Sequence, residues 1–201
     1  MSILIKGGHI VTAADDYVGD IYVENETITL LGESLDMDAD KVVDASGKYV
    51  IPGAIDPHTH IEMPFGGTIT CDDFTSGTTS AAFGGTTALV DFCIQMPGQT
   101  FGTALETWHE KIERCKPVVD VGFHIAITDL QEGGTLEDLA NVPSEGVTSY
   151  KVFLAYKGAV MVDDETLFKV MQTAADTGAL VMVHAENGDA IDILVKEALA
   201  A

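Results

Sequence analysis

Residues 50–60 read VIPGAIDPHTH, and the chain changes character on either side of them. Upstream, short alternating runs (Ile3 to Ile5, Ile21 to Val23, Thr27 to Leu31, Lys41 to Asp44) are separated by turn-prone GG, ADD, ENE and ASG clusters. That is the pattern of antiparallel hairpins, so residues 1–49 are expected to form a small β-module, too short to close a core by itself. Downstream, apolar runs are spaced by longer helical or loop segments, the signature of βα units and a parallel sheet. Strands are expected over Val50 to Asp56, Thr86 to Phe92, Val118 to Ile127, Ser149 to Leu154 and Leu180 to His184. Helices are expected over Phe74 to Phe83, Ala104 to Cys115 and Asp164 to Thr177, the last closing at Gly178 as a C′ glycine; Thr135 to Leu139 reads as a short turn.

Parallel strands with crossovers fit an open doubly wound sheet or part of an eight-stranded barrel. The first strands carry no G-x-G-x-x-G and no Walker loop, which removes the support for dinucleotide and P-loop sites. The polar residues favour the barrel. His58 and His60, Lys151 and His184 fall at the C-terminal ends of the first, fourth and fifth strands, the face at which barrels gather their chemistry.

Composition narrows the partners. The chain has 201 residues, 46% apolar, with 20 Gly and 6 Pro, enough to bury a core and unlike a disordered or collagenous chain. Ten Lys plus Arg against 32 Asp plus Glu leave a formal charge of −22, which repels nucleic-acid phosphates and anionic lipid alike. Cys71, Cys93 and Cys115 are far apart and form no C-x-x-C, as suits a reducing cytoplasm. No run approaches the roughly 20 apolar residues of a membrane span.

The chemistry rests on three segments. In His58-Thr59-His60 residues i and i+2 of an extended segment point to the same side, so both imidazoles can reach one ion, and Pro57 holds Asp56 extended. His184 closes the apolar run Ala179 to Val183 and supplies a third neutral nitrogen, a set that suits Zn²⁺ or another borderline divalent metal. Lys151 is a cation inside the apolar strand SYKVF. Burial lowers an ammonium pKa, and the neutral amine can add CO₂ to become a carbamate able to bridge two metal ions. A lysine snorkelling to solvent is the bland alternative, set aside only because of the surrounding histidines. His109-Glu110 lacks the second histidine of a zincin helix, His124 reads as a packed or supporting histidine, and His9 is assigned no chemistry. The glycine pairs Gly66-Gly67, Gly84-Gly85 and Gly133-Gly134 read as turns.

Together IPGAIDPHTHIEMPFGGTITCDDFTSG, GGTTALVDF, SYKVFLAYKG and VMVHAENGD closely resemble the dihydropyrimidinase and D-hydantoinase family of cyclic amidohydrolases, over essentially the whole chain. EMPFGGT and KVFLAYKG point to this branch rather than to allantoinases or dihydroorotases. The resemblance implies an α/β fold, a (β/α)8 TIM barrel with its first five strands in residues 50–201, beside a small β-sandwich whose N-terminal portion is residues 1–49. It implies two divalent ions, usually zinc: His58 and His60 on the more buried one, a carboxylated Lys151 bridging, His184 on the more exposed one. Tyr156 matches the tyrosine that hydrogen-bonds the developing oxyanion, and Phe65 and Phe153 match loop residues shaping the pocket.

The implied reaction opens a dihydropyrimidine or 5-substituted hydantoin ring to an N-carbamoyl amino acid, by attack of a metal-bridging hydroxide. Family analogy adds a homo-oligomer, often a tetramer. The family pattern also requires a fourth histidine and an aspartate at later strands, and neither lies in residues 1–201. The expectation is therefore an N-terminal part of such an enzyme with little hydrolysis by itself. The alternatives are an allantoinase-like enzyme and a non-catalytic scaffold similar to the collapsin response mediator proteins; the retained His58, His60, Lys151 and His184 argue against the scaffold.

Overall fold

A computed structural model describes residues 1–201, which divide into two compact units, Met1–Gly53 and Ala54–Ala201. The first unit is one mixed sheet. Strands β1 (Ser2–Val11), β2 (Asp16–Glu24) and β3 (Thr27–Gly32) form an antiparallel meander, turned between β2 and β3 by Asn25 and Glu26. Both turn residues have positive φ, as a two-residue type I′ hairpin requires. Strands β4 (Lys41–Asp44) and β5 (Tyr49–Val50) both pair with β1 in parallel. Here the hairpin expectation is corrected: alternation marks a half-buried strand but says nothing of the direction of its partner. The β1 ladder bulges between Ile5 and Gly8, and the buried Asp20 carboxylate secures the bulge by accepting from Gly7 N–H (2.8 Å) and Leu35 N–H (2.9 Å).

The second unit begins with β6 (Ala54–Thr59), which carries His58 inside the strand. The single strand expected over Val50 to Asp56 is in fact two, separated at Ile51-Pro52-Gly53, because Pro52 has no N–H to donate to a ladder. Then come a small hairpin of β7 (Pro64–Phe65) and β8 (Thr68–Ile69), helix α1 (Phe74–Gly84), β9 (Thr86–Ile94), α2 (Phe101–Arg114) and β10 (Asp120–Ala126). After these follow α3 (Leu136–Asn141) with a 3₁₀ turn over Val142–Glu145, β11 (Ser149–Phe153), α4 (Asp164–Thr177), β12 (Leu180–His184) and α5 (Gly188–Ala200).

Strands β6, β9, β10, β11 and β12 are all parallel and lie in chain order, each joined to the next through helix. Sequential order without a reversal is how a barrel wall is built, whereas a doubly wound sheet reverses at a switch point. Thr100, Thr135, Asp163 and Asn187 cap α2, α3, α4 and α5 by each accepting from the backbone N–H three residues further on, and Gly178 closes α4 in the left-handed conformation. The segment read as a turn at Thr135 to Leu139 is thus a capped helix. Helix α5, which no expectation covered, is held by the Asn187 cap.

The core lies between sheet and helices, with Phe74, Phe92, Phe101, Ile125, Ile127, Leu139, Tyr150, Val152 and Val170 fully enclosed. Gly133 closes a turn after β10 as expected, but neither it nor Gly134 has positive φ. A Cβ on Gly133 would sit 2.3 Å from the Gly98 carbonyl carbon, so this pair permits two loops to touch. No helix is long and apolar enough to cross a membrane.

Candidate metal centre

The ring of Phe92, on β9, is the floor of the site. His58 packs on it at 4.7 Å between centroids, His60 at 4.9 Å and His124 at 4.7 Å, and the Lys151 ammonium lies 5.9 Å from its centre. The two imidazoles of the H-x-H segment are 5.1 Å apart, edge to face. From there the array continues along β11. Lys151 Nζ lies 5.1 Å from the Phe153 ring, Phe153 lies 5.8 Å from His184, and Tyr156 lies 5.3 Å from His184 and 5.4 Å from Phe65. Every site residue named from the sequence therefore belongs to one connected set of side chains, carried by β6, β11 and β12, the segments just after β6 and β11, and, for Phe65, the β7–β8 hairpin.

Strand geometry explains the set. Lys151 lies opposite Met182 and Phe153 opposite His184 in the β11–β12 register, so neighbouring strand ends deliver them together. Against β9 the β6 register slips between Asp56 and Thr59, where Pro57 has no N–H to donate. Tyr156 follows β11 with φ 66°, a left-handed conformation that costs a non-glycine residue about 1–2 kcal/mol.

Burial favours the neutral forms of His60 and Lys151. Burial first, then the charges of His58 and Lys151, hold the His60 pKa below the usual imidazole value. Lys151 is 6% exposed, and burial lowers its pKa against the opposing pull of Glu186. Nδ1 of His60 is buried with no hydrogen-bond partner. An orphaned imidazole nitrogen among other nitrogen donors is what a borderline divalent cation would satisfy, so the residues fit such an ion.

His124 is placed otherwise. Since a carbonyl only accepts, Nε2 of His124 donates to Pro57 O (2.8 Å), leaving Nδ1 to accept from the Ser149 hydroxyl. Burial keeps this imidazole's pKa low, and both nitrogens are occupied within the protein. Nε2 of His184 pairs with Glu186 Oε1 at 2.8 Å. Sequence reasoning passed over Phe92, Glu186 and Asp91. Asp91, fully buried, has its carboxyl pushed up to about 7 by burial, against the pull of two backbone N–H bonds and Lys111. The signal was present in ALVDFC, a charge inside an apolar strand of the same kind that singled out Lys151.

Comparison with known proteins agrees with this picture. The family model described as "Amidohydrolase family" matches residues 49–201. The chain is 52% identical over 200 residues to a D-hydantoinase of Geobacillus stearothermophilus, covering 99% of this chain and 42% of that protein. It is 46% identical over 191 residues to a dihydropyrimidinase of Arabidopsis thaliana, covering 94% of this chain and 35% of that one. Among solved structures, a dihydropyrimidinase from Brevibacillus agri superimposes with a TM-score of 0.95 at 50% identity, over all of this chain and 43% of the other. The chain thus spans well under half the length of these relatives.

Proposed function

Because the chain belongs to the amidohydrolase family, we propose that it supplies the imidazole and lysine ligands of a binuclear cyclic amidohydrolase. The enzyme opens dihydropyrimidines or 5-substituted hydantoins to N-carbamoyl amino acids. The names of the relatives support the substrate class. The observation that carries the reading is the partnerless, buried Nδ1 of His60 amid His58, Lys151 and the array leading to His184.

In this reading His58 and His60 would serve as ligands to one divalent cation, His184 to a second and a carboxylated Lys151 to both; zinc would suit the nitrogen and oxygen donors. Burial prepares Lys151 by favouring the neutral amine. That amine bonds the carbon of CO₂ and loses a proton to solvent, so a buried neutral amine becomes a buried anion beside the imidazoles. When bound, the cations supply Lewis acidity to the ring carbonyl and make water a nucleophile at neutral pH. Tyr156 donates a hydrogen bond to the carbonyl oxygen as charge develops there. Phe65 and Phe153, packed beside Tyr156 at 5.4 and 6.1 Å, present an apolar wall to the ring substituent. The complete assembly in this proposal is an eight-stranded barrel with the remaining ligands on later strands and a β-sandwich including residues 1–49, in a cytoplasmic tetramer.

Hydrolysis of dihydrouracil and hydantoin by the whole enzyme is expected to vanish after dialysis against a zinc chelator. It should return with Zn²⁺ and bicarbonate and be absent in Lys151→Ala. Turnover that survives chelation, or none with either ring, would refute the proposal.

A further inference from the structure

We infer that Asp91 and His124 are positioning residues that clamp the His58-Thr59-His60 segment at its two ends. The inference rests on the reading of His58 and His60 as metal ligands. At the C-terminal end, Asp91 Oδ2 accepts from Ile61 N–H at 2.8 Å, directly after His60. The other oxygen, Oδ1, accepts from Phe92 N–H at 2.5 Å, fixing the backbone of the ring on which both imidazoles rest. At the N-terminal end, His124 donates to the carbonyl of Pro57, directly before His58, and is itself held by Ser149.

The segment needs such support because the sheet does not supply it. Register with β9 slips between Asp56 and Thr59, and Pro57 brings no ladder donor, so the imidazoles are borne by an irregular end of β6 and the residue just past it. Side chains from β9 and β10 replace the missing ladder. A fully buried carboxyl is costly, and here its hydrogen bonds go to backbone N–H groups next to the imidazole pair and to the floor. The two-oxygen carboxyl group is specific to the task. Two N–H donors approach two different oxygens, whereas an amide would accept one and oppose the other with its own N–H. Groups that orient metal ligands typically change metal affinity about 10- to 100-fold when removed.

Zinc affinity, read by competition with a chromophoric chelator in the presence of bicarbonate, tests the clamp in the whole enzyme. Asp91→Asn and His124→Phe are each expected to bind zinc at least about tenfold more weakly than the parent. Leu139→Ala, a core truncation in α3, should lose stability but keep the parent's zinc affinity. Clamp variants that bind as tightly as the parent, or a Leu139→Ala variant weakened equally, would overturn the inference while leaving the metal centre standing. A parent protein that binds no zinc would overturn the metal-centre reading and the clamp together.

If the clamp variants do not fold, the parent decides by hydrogen exchange. Coupling is reciprocal, so saturating zinc should slow exchange at Ile61 N–H at least about tenfold. Equal rates with and without zinc would overturn the clamp.

Discussion

Gln95 shows how much one buried side chain can organise. Its amide is fully enclosed, donating to Gln99 O (2.7 Å) and Asp129 O (2.9 Å) and accepting from Thr128 N–H (3.0 Å) and Asp129 N–H (3.1 Å). It thereby ties together the loops that follow β9 and β10, beside the candidate metal centre. Gln95→Leu keeps much of the volume but leaves these backbone groups without partners. The expected loss is about 2–4 kcal/mol, read as a lower urea midpoint; a midpoint within error of the parent would contradict this account. Single residues also mark the reach of sequence reading. Lys151 could be singled out because a cation in an apolar strand is conspicuous. Asp91 is just as conspicuous in its strand, but its distant partner, Ile61 N–H, becomes visible only when β9 is laid beside β6.

At the scale of elements, local chemistry is written into the chain and pairing is not. Asp163 before DETLF and Gly178 after the last turn delimit α4, since a carboxylate satisfies free N–H groups at one end and glycine accepts positive φ at the other. Helix α5 depends more on contact. Gly188 N–H donates to Leu154 O (2.9 Å), and a Cβ at Gly188 would approach that carbonyl oxygen to 2.5 Å and Met161 Sδ to 2.7 Å. Gly188→Ala should therefore push the start of α5 off the loop after β11, costing about 1–3 kcal/mol. The check is a denaturant midpoint that falls with the slope unchanged; an unchanged midpoint would show that the loop yields freely. The same division explains β4 and β5. Their apolar alternation is local, but their parallel pairing with β1 is a long-range outcome.

At the scale of the whole molecule, the parallel sheet of the second unit ends in β6 on one side and β12 on the other, each with a single strand neighbour. Ile55 on β6 and Leu180 on β12 are 66% and 65% exposed, and Ile193, Leu194 and Leu199 of α5 also face water. Unpaired edges flanked by apolar side chains template further strand pairing. Residues 1–201 expressed alone are expected to elute from size exclusion as large or polydisperse species despite their charge of −22; a sharp monomer peak would contradict this.

The sequence alone determined most of the alternation of strand and helix, the glycine that closes α4, the change of pattern near residue 50, and the placement of His58, His60, Lys151 and His184 in or just after strands. These follow from periodicity and side-chain chemistry acting over a few residues. Only the tertiary structure decided that Phe92 underlies three imidazoles and the lysine, that His124 and Asp91 grip the two sides of the histidine pair, and that one nitrogen of His60 is buried without a partner. Those contacts join residues about 30 to 70 positions apart, fixed by strand order and register across a sheet, for which no local run of residues carries a signature.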